Sequence, residues 1–145
     1  MTEDSAAVLM KLAVAYGEAW NRADVDAILA LHTSDSVFQL HDGSPPAVGI
    51  DAVGIALREF FEQWADARFA RRSLFFGKDN WAVEWTLTAQ TRGVGGNRAA
   101  GVTVSFEGVD IVTVRGGLVA AKHVYYDATS VLKMLEAGKV AAVPG

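Results

Sequence analysis

Apolar and polar positions recur with two different periods along the chain, and the change of period falls at Arg68. Before it, hydrophobic residues return every three to four positions, as on one face of a helix. Val8, Leu9, Leu12, Ala15, Tyr16, Ala19 and Trp20 predict a first helix from about Ser5 to Asn21, which Asp4 or Ser5 can cap. Asp24 caps a short second helix through Ile28, Leu29 and Leu31 to about Thr33. A strand over Ser36 to His41 follows, with Val37, Gln39 and His41 on one face and Phe38 and Leu40 on the other. It breaks at Asp42-Gly43-Ser44-Pro45-Pro46, a strong loop signal. Asp51 caps a third helix, with Val53, Leu57, Phe60, Phe61 and Trp64 on its apolar face, ending near Ala67.

Beyond Arg68 the alternation has period two, the signature of half-buried strands. Phe69 to Lys78 and Trp81 to Thr91 are two strands joined at Lys78-Asp79-Asn80, and Arg92 to Arg98 is a glycine-rich connection. Two more strands form a hairpin, Thr129 to Ala137 is a short closing helix, and 138–145 is a tail. With no repeat or linker, the expectation is one domain over 1–145. Helices at the front and strands at the back indicate an α+β fold. The N-terminal helices are expected on the concave face of a strongly curved, mostly antiparallel sheet, forming a cone with an apolar cavity at its wide end.

The hairpin carries the candidate chemistry. Val104, Phe106, Gly108, Asp110, Val112 and Val114 share one face of its first arm, and Val119, Ala121, His123, Tyr125 and Asp127 share one face of its second, with Lys122 opposite. Gly116 and Gly117 suit a two-residue turn, since both tolerate positive φ. Counting back from that turn places Asp110 across from His123, with Cβ atoms about 4.5–5.5 Å apart. The pair is either a self-satisfied polar pair or the centre of a pocket. A carboxylate among valines costs several kcal/mol unless it is paired, and a titratable group in an apolar setting is what acid–base catalysis uses. Tyr16 lies on the buried stripe of the first helix, where its hydroxyl needs a polar partner. Tyr125, Trp20, Phe106, Trp64 and His41 are the candidate substrate contacts. Asp127 either faces this pocket or caps the last helix, the cap being preferred.

Composition narrows the function classes. The chain has 145 residues, 51% of them hydrophobic, enough for a full core, and no apolar run approaches a membrane span. The acidic start, Met1-Thr2-Glu3-Asp4, is unlike a secretory signal, so a cytoplasmic location is expected. A net charge of −4 without a basic cluster argues against nucleic acid. There is no cysteine, and no helical histidine spacing suggests a metal site, so neither metal nor cofactor is implied.

Several stretches resemble the SnoaL-like, or nuclear transport factor 2-like, superfamily, which includes ketosteroid isomerase, limonene epoxide hydrolase and the SnoaL-type polyketide cyclases. They are Tyr16-Gly17-Glu18-Ala19-Trp20-Asn21 before Asp24-Val25-Asp26-Ala27-Ile28, Gly49-Ile50-Asp51-Ala52-Val53, Val83-Glu84-Trp85, Val109 to Val114, and Val124-Tyr125-Tyr126-Asp127. The resemblance implies the cone fold, and one fold of this kind hosts many activities. By analogy with ketosteroid isomerase, Tyr16 matches an oxyanion donor and Asp110 the aspartic acid that the isomerase keeps protonated. The isomerase's general-base aspartate would fall near Gln39 to His41, where no carboxylate stands, and an arginine of the epoxide hydrolases is replaced by Gly108. The polyketide cyclases, whose base Asp127 or Asp110 could supply, are the nearest analogy. The resemblance also implies a homodimer, with Glu84, Thr86 and Thr88 or Ile111 and Thr113 near the contact. The expected function is cofactor-free acid–base chemistry, of cyclase or isomerase type, on a small apolar carbonyl compound. Asp110, His123 and Tyr16 would be the catalytic groups. The alternative is a non-catalytic ligand-binding or dimerisation module.

Overall fold

A computed structural model describes residues 3–93 and 100–142. Helices α1 (Glu3–Asn21) and α2 (Val25–Ala30) lead into strand β1 (His32–Leu40), the short β2 (Ala47–Val48) and helix α3 (Ile50–Gln63). Strands β3 (Trp64–Phe76), β4 (Asn80–Arg92), β5 (Ala100–Arg115) and β6 (Leu118–Tyr126) follow, and helix α4 (Ala128–Ala142) closes the fold. The architecture is the expected α+β cone. Six strands lie in the order β2-β1-β6-β5-β4-β3, antiparallel throughout except for the β1–β6 pair.

The core fills the concave side. Leu9, Leu12, Tyr16 and Trp20 of α1, Ile28 of α2, and Val53 and Leu57 of α3 bury against Trp81, Trp85, Leu87, Val104, Val112 and Val119 of the sheet. Each fully buried aliphatic side chain contributes about 1.5–3 kcal/mol. Asp24 caps α2 by accepting from the Ala27 amide at 3.0 Å, and Asp127 caps α4, its carboxylate taking the Ser130 amide at 3.1 Å and the Ser130 hydroxyl at 2.7 Å. Hydrogen bonds to Ser130 hold the Asp127 carboxyl below its ordinary pKa.

Several boundaries differ from the sequence reading. Helix α1 begins at Glu3, which puts Asp4 and Ser5 inside its first turn. Gly49, with φ of 90°, occupies the N-cap of α3, so Asp51 lies in the first turn instead. The second and third helices end sooner than expected, at Ala30 and Gln63, and His32 and Trp64 already belong to strands. At the end of α3, the Arg92 guanidinium donates to the Phe61 carbonyl at 3.2 Å. Helix α4 continues through Gly138 to Ala142 where a tail was expected. Most of the Arg92–Arg98 connection lies outside the described residues.

The correction that matters most is one residue long. Gly116 and Gly117 take φ of 59° and 77° and form the expected tight turn, and Arg115 pairs with Leu118 and Val114 with Val119. The next pair is Thr113 with Ala121, so Ala120 is an extra residue in β6, a bulge. β1 is irregular at the same level, between His32 and Val37. Past the bulge every side chain of β6 lies on the other face from the one counted from the turn. Asp110 pairs with Val124, and His123 pairs with Ile111. Asp110 and His123 therefore stand on opposite faces of the sheet, and Lys122 faces inward.

Candidate functional site

The inward face of β5 and β6 brings together Asp110 and Lys122. Both are buried, at 7% and 4% exposure, and the Lys122 ammonium lies 3.4 Å from Asp110 Oδ2. The other carboxylate oxygen, Oδ1, accepts from the Trp85 indole N–H at 2.9 Å. That bond depends on Gly108. Trp85 pairs with Gly108 across the β4–β5 ladder, and a Cβ on Gly108 would come within 2.4 Å of the indole ring. The missing side chain lets the indole lie over the strand and reach the carboxylate two residues further on.

Aromatic rings surround the ammonium. Nζ of Lys122 is 3.5 Å from the Trp20 ring centroid, 5.1 Å from Tyr16 and 6.0 Å from Phe38. Such rings favour a cation through their negative faces. Burial acts the other way and pushes the lysine below its ordinary pKa, while the charge of Asp110 and its hydrogen bond oppose that shift.

Tyr16 stands beside this pair, but its hydrogen bond goes to a residue that the sequence reading had not singled out. Its hydroxyl is 2.9 Å from Nε2 of His32, whose Nδ1 is 3.0 Å from the Ser36 hydroxyl. Burial, with a smaller effect from the charge of Lys122, takes His32 down to about 4, so the imidazole is neutral near pH 7. Two proton arrangements fit a neutral ring. In one, Tyr16 donates to His32. In the other, His32 donates to Tyr16 and the phenol proton is free for a ligand. Burial pushes the Tyr16 hydroxyl far above its ordinary pKa, the Trp20 side chain opposes this, and the charge of Asp110 adds to it. The buried indole N–H of Trp20 has no well-formed hydrogen bond among the described residues.

Two cavities open beside the pair. One of about 330 Å³ lies between α1 and strands β3 and β4, and Tyr16 and Trp81 contribute to its wall. The other, of about 600 Å³, is lined by Phe38, Trp64, Phe106, Tyr126 and Val131 among others. Trp20, Trp85, Asp110 and Lys122 line both, so the ion pair stands at their shared wall.

Of the expected site residues, the structure gathers Asp110, Tyr16, Trp20, Trp64 and Phe106 around these cavities. The remaining three form a separate group on the outer face. His41 Nε2 is 2.9 Å from His123 Nδ1, and the His41 ring stacks on Tyr125 with centroids 4.0 Å apart. Lys122, His32 and the backbone space at Gly108 are what the sequence reading missed. A lysine in a strand reads as solvated, and only the bulge turns it inward. Among the described residues, no three His, Cys, Asp or Glu side chains gather as metal ligands, and no helix is long and apolar enough to cross a membrane.

The sequence profile of the SnoaL-like domain matches residues 13–122. The chain belongs to the SnoaL-like family. Solved structures of the same fold agree at low identity. A protein taken to be a SnoaL-like polyketide cyclase, from Jannaschia sp. CCS1, superposes with a TM-score of 0.82 at 18% identity, covering 99% of this chain and 98% of that one. A protein taken to be a polyketide cyclase, from Xanthomonas campestris pv. campestris, gives 0.77 at 22%, with 89% and 97% covered. TerC, co-crystallised with polyporic acid, gives 0.74 at 16%, with 88% and 96% covered. Comparison with curated proteins finds no match. In this SnoaL-like chain the matched segment runs from α1 to Lys122, and so includes Tyr16, Trp20, His32, Trp85 and Asp110.

Proposed function

We propose that the protein binds a small, largely apolar carbonyl compound inside the cone and catalyses cofactor-free acid–base chemistry on it, of cyclase or isomerase type. The observation that carries this reading is the pair of cavities, about 330 and 600 Å³, both reaching a buried, paired carboxylate. An apolar pocket with a few convergent polar groups is the usual form of a small-molecule site. A filled cone would have favoured the non-catalytic module. Asp110 removes a proton next to the carbonyl, held in place by Lys122 and Trp85. Tyr16, relayed by His32 and Ser36, is the donor for the oxygen on which charge develops. The polyporic acid of TerC supports an aromatic ligand of modest size.

The test follows α-proton exchange of acetophenone in deuterated buffer, beside quenching of indole fluorescence as a measure of binding. Exchange above the buffer rate, lost in Asp110→Asn while binding persists, is the expected result. Binding without exchange would leave a ligand-binding module.

The same reading includes a homodimer built on the outer face of the sheet. Glu84 there is engaged by Arg72 at 3.7 Å, and Arg72 also reaches Glu107 at 3.3 Å. That favours a contact over Ile111 and Thr113, near Tyr125 and Phe75, which are 43% and 61% exposed. Sedimentation equilibrium giving a monomer at micromolar concentration would overturn it.

A further inference from the structure

Lys122 is more than a counter-ion in this geometry. Its Nζ is the primary amine of a buried side chain at the wall shared by both cavities, 3.4 Å from a carboxylate oxygen. A ligand carbonyl carbon in either cavity meets a nitrogen and a proton carrier side by side. We propose that Lys122 captures an aldehyde or ketone carbonyl of the bound ligand as an imine, with Asp110 carrying the protons. This deepens the acid–base reading of the same site and rests on its carbonyl ligand.

The step balances without any other reactant. The Lys122 ammonium gives a proton to Asp110, leaving a neutral amine and a carboxylic acid. The amine lone pair forms the C–N bond as the C=O π bond breaks, and the oxygen takes the proton from Asp110. The nitrogen then returns a proton to Asp110. Finally that proton leaves with the hydroxyl as water while the nitrogen lone pair forms the C=N bond. The result is a protonated imine, one water and a carboxylate, with no change of oxidation state.

Three features support the proposal. A lysine desolvated in an apolar pocket is the usual setting for imine formation, because burial favours the neutral amine, and burial is the dominant influence on Lys122. The Asp110 carboxylate is steadied through Oδ1 by the Trp85 indole at 2.9 Å, which leaves Oδ2 beside the lysine to exchange protons with it. The two cavities flank the pair, which gives a ligand carbonyl an approach to it from either side.

The test treats the intact protein at pH 7 with benzaldehyde and sodium cyanoborohydride, which reduces an imine to a stable benzylamine, and maps the modified peptides by mass spectrometry. Modification of Lys122 is expected to be saturable and about tenfold faster than that of Lys11 or Lys78. Lys122→Arg should lose this adduct and keep the slow labelling elsewhere; the wild-type map decides alone if that variant does not fold. Lys122 labelled no faster than Lys11 overturns the proposal. Acetophenone exchange run in parallel separates the two readings. Exchange with no Lys122 adduct removes the imine and leaves acid–base catalysis standing, while a fast Lys122 adduct without exchange does the reverse.

Discussion

On the concave side of β5 and β6, Asp110 and Lys122 are withdrawn from water and held by each other, an indole N–H and aromatic faces. On the other side of the same two strands, His123 and Tyr125 meet His41 through a histidine–histidine contact and a stack, with Tyr125 partly in solvent. Both groups contain titratable side chains on valine-rich strands. Inside, each polar atom has few ways to be satisfied, so one lost partner leaves a charge with no water to replace it. Outside, water substitutes for whatever is removed. Polarity close to the centre of the fold therefore specifies structure and chemistry together, whereas the outer group contributes little to the stability of a single chain.

The sharpest way to break this contrast is Lys122→Met, which strands the Asp110 carboxylate. A loss of about 3–5 kcal/mol is expected from the urea midpoint, with much of it recovered in the Asp110→Asn/Lys122→Met double variant, where no uncompensated charge remains. A second test uses pH. His32 is neutral in the fold, and its pKa falls from 6.5 to about 4 on folding, so below pH 6.5 the unfolded chain takes up a proton that the native state refuses. Stability should then drop as pH falls from about 6.5 to about 4, by about 3 kcal/mol from this group, and His32→Gln should flatten that part of the profile. Third, Gly108→Ala drives a methyl group into the Trp85 ring. About 2 kcal/mol should be lost, with a changed near-ultraviolet circular dichroism as the indole leaves Asp110. The smallest effect belongs to the outer face. His123→Ala should shift the urea midpoint by only about 0.5 kcal/mol, and a loss as large as that of Lys122→Met would erase the distinction between the faces.

The cone was legible in the sequence because long periodic stretches such as Val8 to Trp20 and Trp81 to Thr91 leave little choice of face. Asp110, Tyr16 and Trp20 were legible for the same reason. Their neighbours were not. From Val119 onward both parities of β6 carry apolar residues, Ala121 and Tyr125 on one and Val124 and Tyr126 on the other, so the pattern did not contradict the face counted from the turn, and the extra residue at Ala120 made that face the wrong one. His32 was hidden by a helix that ends one turn early, at Ala30. Neither error concerns propensity. Both arise where β1 and β6 become irregular together, and a parallel pair between strands so distant in sequence leaves no local signal of its register.

The bulge at Ala120 makes the identity of the reactive group a matter of strand register as well as of residue type. Pairing Ala120 with Thr113, so that β6 ran on without the bulge, would turn His123 and Tyr125 toward the cavities and send the lysine out to solvent, exchanging an amine for an imidazole opposite an unchanged Asp110. No side chain would have been substituted. For a SnoaL-like cone, a one-residue change of register in the last strand is thus a route from one class of chemistry to another, and chains that differ there need not share a reaction even where their residues are the same.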